Sequence, residues 1–195
     1  MDAKNYKQQL LDQLYAPYKK CLECPLGSMG RLNVVFGHGN PDAQLMFIGE
    51  GPGRDEDIQG KPFVGRSGQL LTRILEGIGI NREDVFITNI VKCRPPDNRK
   101  PFPIESSTCK KLLLEKQIKI IRPQVICTLG ASAVEGLLDT KIKITQVRGS
   151  LLTYQQITLI PTYHPAYILR NQSEIRYLIQ DINKAFELAY PDLPQ

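Results

Sequence analysis

The sequence predicts an α/β fold built on a largely parallel sheet covered by helices on both faces. Three observations carry this expectation. Short, mainly apolar runs at 44–50, 84–90 and 124–130 have the pattern of strands buried on both sides, without the alternation of a half-exposed strand. The segments between them carry apolar residues at helical spacing, and strands alternating with helices imply βαβ units. A chain of 195 residues that is 42% hydrophobic is long enough for one substantial core and short for two. A single domain spanning residues 1–195 is therefore expected, opening with a helix.

In chain order, residues 4–16 place Leu10, Leu11, Leu14 and Tyr15 on one helical face. Pro17, which lacks an N–H and clashes with the preceding turn, should end or kink that helix. A short strand is expected at 33–36. "QLMFIGE" closes a buried strand with a glycine and an acid, delivering a loop at its carboxyl end. A glycine- and proline-rich loop should then run to Arg66. "GQLLTRILEGIGI" reads as a helix, "DVFITNI" as the next strand, and "IVKCRPPDNRKP" as its loop. A helix follows at 106–121, then the strand "QVICTLG" and the helix "ASAVEGLL". "SLLTYQQITLIPTYHP" reads as a hairpin that runs into a loop, and 175–190 as the final helix. In such folds ligands gather at the carboxyl ends of the strands.

No apolar run approaches the roughly 20 residues that cross a bilayer, and no N-terminal segment has the form of a signal peptide, so a cytoplasmic protein is expected. There thiols stay reduced, and the five cysteines are read as ligands, nucleophiles or core residues. The net charge of +5 and pI near 8.9 lean toward an anionic partner. Cys21 and Cys24 form "CLEC"; Cys93 and Cys109 lie far downstream, and all four fall in loops or at helix starts. Their thiolates could converge on one metal centre, but zinc and an iron–sulfur cluster both accept four cysteines and the spacing leaves the choice open. Cys127, inside "QVICTLG", is expected in the core. "GEGPG" is set aside as a dinucleotide site, because a long loop is expected between its glycines and the next helix. Its glycines, Gly51 among them, let backbone approach a ligand beside Glu50.

"GEGPGRDEDIQGKPFVGRSGQLL", "TNIVKCRPP" and "HPAYILRN", taken with the cysteine quartet, resemble the family 4 uracil-DNA glycosylases, the iron–sulfur branch of that superfamily, over residues 21–171. The resemblance implies a three-layer α/β/α sandwich around a mainly parallel sheet, a [4Fe–4S] cluster on Cys21, Cys24, Cys93 and Cys109, and hydrolytic excision of uracil from single- or double-stranded DNA. It places Glu50 at the attacking water or the sugar cation, Glu56 as a second active-site acid, Phe63 under the uracil and His164 at the departing base. Asn89 can offer both an amide donor and an acceptor to the uracil edge, which would reject cytosine, and "AYILRN" would meet the duplex as the base is flipped. Lys92, Arg94, Arg99, Lys100, Lys110 and Lys111 are expected to form a positive patch over the cluster. The expected setting is base excision repair at the nucleoid, with a sliding clamp or abasic-site repair enzymes as candidate partners. Two rival classes remain at this stage, a zinc-holding nucleic-acid-binding module and a redox iron–sulfur protein.

Overall fold

The computed structural model describes residues 3–192. Helix α1 (Ala3–Tyr15) ends before Pro17, which sits in a single 3-10 turn over Ala16–Tyr18. The two-residue strand β1 (His38–Gly39) precedes β2 (Leu45–Gly49), α2 (Arg54–Gln59), α3 (Arg66–Gly77) and β3 (Phe86–Asn89). Then come α4 (Pro103–Cys109), a π-helical turn over Lys110–Leu114, α5 (Glu115–Ile121), β4 (Val125–Leu129), α6 (Ala131–Leu138) and α7 (Ile144–Val147). The hairpin β5 (Leu152–Tyr154) and β6 (Ile157–Thr162), α8 (Pro165–Ile168) and α9 (Ile175–Ala189) complete the described chain.

One six-stranded sheet has the order β1-β3-β2-β4-β6-β5. β3, β2, β4 and β6 are parallel, and only the edge strands β1 and β5 run antiparallel. The period-2 geometry of a strand sorts the apolar residues to two faces. Met46, Ile48, Phe86, Ile126 and Leu159 pack with α1, α5 and α6. Leu45, Phe47, Ile87, Cys127 and Ile160 pack with α3, α8 and α9. Two cores back to back on one sheet make the three-layer α/β/α sandwich, and Cys127 is fully buried in the second of them.

Three expectations need correction. Residues 33–36 form no strand, their polar groups being bonded mostly to side chains and to the single backbone carbonyl of Lys92. Asp57 accepts from Leu32 N and Asn33 N, Tyr15 Oη donates to Val34 O, and Phe36 O accepts from Thr88 Oγ1 and Gln117 Nε2. The loop after β2 is not free of helix: α2 begins directly after Gly53, so the spacing argument against a dinucleotide site fails. The stronger argument is that the Glu56 carboxylate already accepts from Gly53 N at the start of α2, 3.1 Å away. The helix expected at 106–121 begins at Pro103, where Glu105 accepts from Phe102 N at 2.7 Å, and it widens to the π turn directly after Cys109. Helix α7, four residues long, was not expected.

Candidate active site

The parallel strands deliver their carboxyl ends to one rim, and the loops that leave them enclose a cavity of about 500 Å³. Glu50 and Gly51 follow β2, Asn89 ends β3, Gly130 follows β4 and His164 follows β6; all line the cavity, as do Glu56 and Phe63. All six residues expected to act on a base thus face one space. The site sits where strand order reverses around β2, the position at which open α/β sheets bind ligands.

Asn89 is 1% exposed. Its register partner is Gly49, and the ladder runs on past the strands through Ile90 N to Gly49 O and Val91 N to Glu50 O. The residue lines the cavity, and its Oδ1 is buried without a hydrogen-bond partner. A buried acceptor left open is uncommon and points to a missing donor. A Cβ added at Gly49 would run into that oxygen and lie 2.6 Å from Phe63 Cζ, so glycine here lets the amide and the ring converge. Gly49 was missed from sequence because it read as the end of a strand. Gly51 is explained differently from expectation: a Cβ there would lie 2.7 Å from Val91 Cγ2, so the close neighbour is protein.

Phe63 adopts φ +51°, a conformation that costs a non-glycine residue about 1–3 kcal/mol and needs support. Glu56 supplies it, its Oε1 accepting from Val64 N (2.9 Å) and Gly65 N (2.8 Å) while Oε2 holds Gly53 N. Arg82 adds a bond to Pro62 O at 2.7 Å. Glu56 is therefore engaged by backbone on both oxygens, although it lines the cavity. Glu50 is different: no group among the described residues hydrogen-bonds its carboxylate.

His164 caps α8, its Nδ1 accepting from Ala166 N at 3.0 Å. With Nδ1 committed as an acceptor, a neutral ring must carry its proton on Nε2. Burial, helped by the Arg170 charge, pushes the imidazole down to about 4, so it is neutral at physiological pH. Its ring lies 5.7 Å from that of Phe63, centroid to centroid. In "AYILRN", Tyr167 and Arg170 line the cavity while Ile168 is buried in the core. Ser67 and Ser132 also line the cavity and carried no sequence signal. His38, the other histidine, is paired with Glu83 at 3.2 Å.

On the α1 and α5 side of the sheet, Cys21, Cys24, Cys93 and Cys109 line a second, small cavity. No three metal-ligating groups among the described residues stand close enough to hold a single ion; the thiols surround a common space instead. Burial pushes Cys93 up to about 12 and Cys109 up to about 11, so deprotonating them calls for cationic charge at the centre. Arg31 reaches in from one side, its Nη2 donating to Cys21 O at 2.6 Å while its buried Nε has no partner. Four sulfurs around a cavity, with an open N–H beside them, fit a soft metal centre carrying acceptor atoms of its own.

The expected positive patch loses two of its six residues to burial and has two more paired with carboxylates. Lys92 is fully buried, Lys110 is nearly so and paired with Asp139 at 2.5 Å, and Arg99 is held by Glu105 at 2.7 Å and stacked on Phe102. Lys100 pairs with Glu135 at 2.6 Å. Lys92 and Lys110 share the burial of the neighbouring cysteines, whereas Lys100 and Lys111 stay exposed and Arg94, bonded to Asn98, is partly so.

Residues 36–193 match the family described as the uracil DNA glycosylase superfamily. Curated relatives include a type-4 uracil-DNA glycosylase of Thermotoga maritima, 49% identical over 92% of this chain and 94% of that protein. Another, from Saccharolobus solfataricus, is 46% identical over 91% of this chain and 85% of its own length. A type-5 enzyme of Thermus thermophilus is 30% identical over 53% of each. The chain therefore belongs to the uracil-DNA glycosylase superfamily, within its type-4 branch.

Proposed function

We propose that the uracil-DNA glycosylase activity of this chain resides in the cavity at the strand ends, where a flipped deoxyuridine is cleaved at its N-glycosidic bond to leave an abasic site. The observation that carries this assignment is the open Oδ1 of buried Asn89, in the cavity that Phe63 and His164 also line. Uracil offers N3–H to that oxygen and its 4-carbonyl to the amide N–H, whereas cytosine would turn an unprotonated ring nitrogen toward the acceptor. A site that leaves a buried acceptor unpaired discriminates by a factor on the order of 10⁴.

Phe63 stacks on the base, as aromatic rings commonly hold flipped nucleotides. As the glycosidic bond lengthens, negative charge grows on the uracil, chiefly at its 2-carbonyl oxygen. The Nε2–H of neutral His164 donates there, and such a donor contributes on the order of 10²–10³ in rate. Glu50, with its carboxylate unengaged by protein, orients the attacking water and offsets the positive charge on the sugar. Water adds to the anomeric carbon, and its proton is released as uracil leaves. Glu56 acts through the backbone it holds, keeping Phe63 and the Gly51 loop in place without touching the base.

We infer that Cys21, Cys24, Cys93 and Cys109 hold a [4Fe–4S] cluster. The shared cavity and the open Arg31 Nε support it. When bound, the cluster supplies iron–thiolate bonds that crosslink the loop after α1, the loop after β3 and the end of α4. That role is structural, and a cluster-free variant with undiminished DNA affinity would overturn it. One sheet carries every candidate, so we read the chain as one catalytic domain working on chromosomal DNA, with abasic-site repair enzymes acting next.

The test is release of uracil from a labelled single-uracil oligonucleotide, single- and double-stranded, read as alkali-labile breaks. The expected result is cleavage at uracil, none at cytosine, and none when uracil carries a methyl group at N3. Cleavage of the N3-methylated base at a comparable rate would refute the role of Asn89.

A further inference from the structure

Lys92 sits at a place the reaction scheme does not use. Its side chain is completely buried, and burying an ammonium is costly unless its donors are met. The Nζ donates to Asn89 O at 2.7 Å and to Thr88 Oγ1 at 2.5 Å. Its backbone belongs to the other cavity: Lys92 N donates to Cys109 Sγ at 3.3 Å, and the residue lines the space bounded by the four cysteines. Val35 N bonds Lys92 O at 2.7 Å, which fixes the residue from the opposite side.

The bond to Asn89 O meets a local need. Strand β1 pairs with Phe86 and Ile87 and reaches no further along β3. Where its continuation would have bonded Thr88 and Asn89, Phe36 O is taken by Thr88 Oγ1 and Gln117 Nε2. Asn89 O is therefore left to the ammonium. A strand end that is unpaired on one side frays, and the side chain it carries loses its aim.

We propose that Lys92 is the positioning residue for Asn89, and that through it the thiol-lined lobe holds the uracil-reading amide in place. This rests on Asn89 binding uracil. Lys92 touches no substrate, so its removal acts on the base-binding step and leaves the DNA-binding surface intact. Free uracil occupies only the base subsite and therefore reports the Asn89 geometry. DNA carrying an abasic site lacks the base and reports the remainder of the interface.

The experiment compares inhibition by free uracil with affinity for abasic-site DNA in the purified iron-containing protein and in Lys92→Met, Thr88→Val and Asn89→Ala. Lys92→Met keeps most of the unbranched stem and removes its terminal donor. Loss of this buried hydrogen bond predicts about tenfold weaker uracil inhibition, with abasic-site affinity and iron content unchanged. Unchanged uracil inhibition, or equal loss in both measurements, would overturn the proposal. If Lys92→Met loses iron or fails to fold, Thr88→Val decides, because Thr88 lies outside the cysteine loops. About threefold weaker uracil inhibition with unchanged abasic-site affinity upholds the proposal, and no change refutes it. Asn89→Ala separates the two levels: if it leaves uracil inhibition intact, the assignment of Asn89 fails whatever Lys92 does.

Discussion

Acidification tests the leaving-group assignment most directly. His164 takes up a proton only at about pH 4, against an ordinary histidine near 6.5. At about 1.4 kcal/mol per unit, protonating it in place costs roughly 3 kcal/mol more than in water. Three features oppose the proton: burial, the Arg170 charge, and the Nδ1 lone pair already accepting from Ala166 N. The expected titration by imidazole ¹⁵N NMR shows one histidine as the Nε2–H tautomer, neutral from pH 8 to about 5, with His38→Gln assigning the other signal. Single-turnover uracil release should show no decline between pH 6 and 8, since the working form is present throughout. A rate that falls as pH rises through 6–7, or an Nδ1–H tautomer, would refute a neutral donor and indicate an imidazolium acid. The linked stability has a definite sign. Between about pH 6.5 and 4 the unfolded chain binds a proton at His164 that the folded chain does not, so stability falls as pH is lowered through that window, by up to roughly 3 kcal/mol. His164→Gln should flatten this part of a denaturant-midpoint profile.

Gly49→Ala places a methyl group against Asn89 Oδ1 and Phe63 Cζ; it should lower kcat/KM about 10²-fold while costing about 1–3 kcal/mol of stability, read by single-turnover kinetics and urea unfolding. Glu56→Ala leaves the N–H groups of Gly53, Val64 and Gly65 without their acceptor and should cost about 2–3 kcal/mol. Glu56→Gln keeps an acceptor oxygen and should retain most activity; a stable Glu56→Gln protein with no chemistry would make Glu56 a proton carrier instead of a clamp. Arg31→Met removes the open Nε and the bond to Cys21 O, so visible absorbance should decay about tenfold faster under an iron chelator, with Arg31→Lys intermediate. Equal decay rates in all three proteins would remove Arg31 from any part in holding the cluster.

Much of this protein is legible in its residues. The buried strands β2, β3 and β4 are predominantly apolar runs, and α6 begins and ends where its sequence pattern does, because hydrophobic periodicity and glycine punctuation are local properties. The place of the candidate site was legible too, since acid, amide and imidazole each stand at the end of a strand, where the fold class directs ligands. What sequence could not supply is which polar groups satisfy one another. Glu56 and Glu50 look alike in the chain; only the folded loop shows one carboxylate spent on three backbone N–H groups and the other open. The run Lys92, Arg94, Arg99 and Lys100 reads as a charged surface. Tertiary packing buries Lys92 beneath the sheet end and gives Lys100 a carboxylate partner 35 residues away. Gly49 reads as an ordinary strand terminus until Asn89 and Phe63 converge on it from segments 40 and 14 residues away. Periodicity is decided within a few residues of chain, whereas the partner of a buried charge, an amide or an absent side chain is decided by whatever the folded sheet brings beside it.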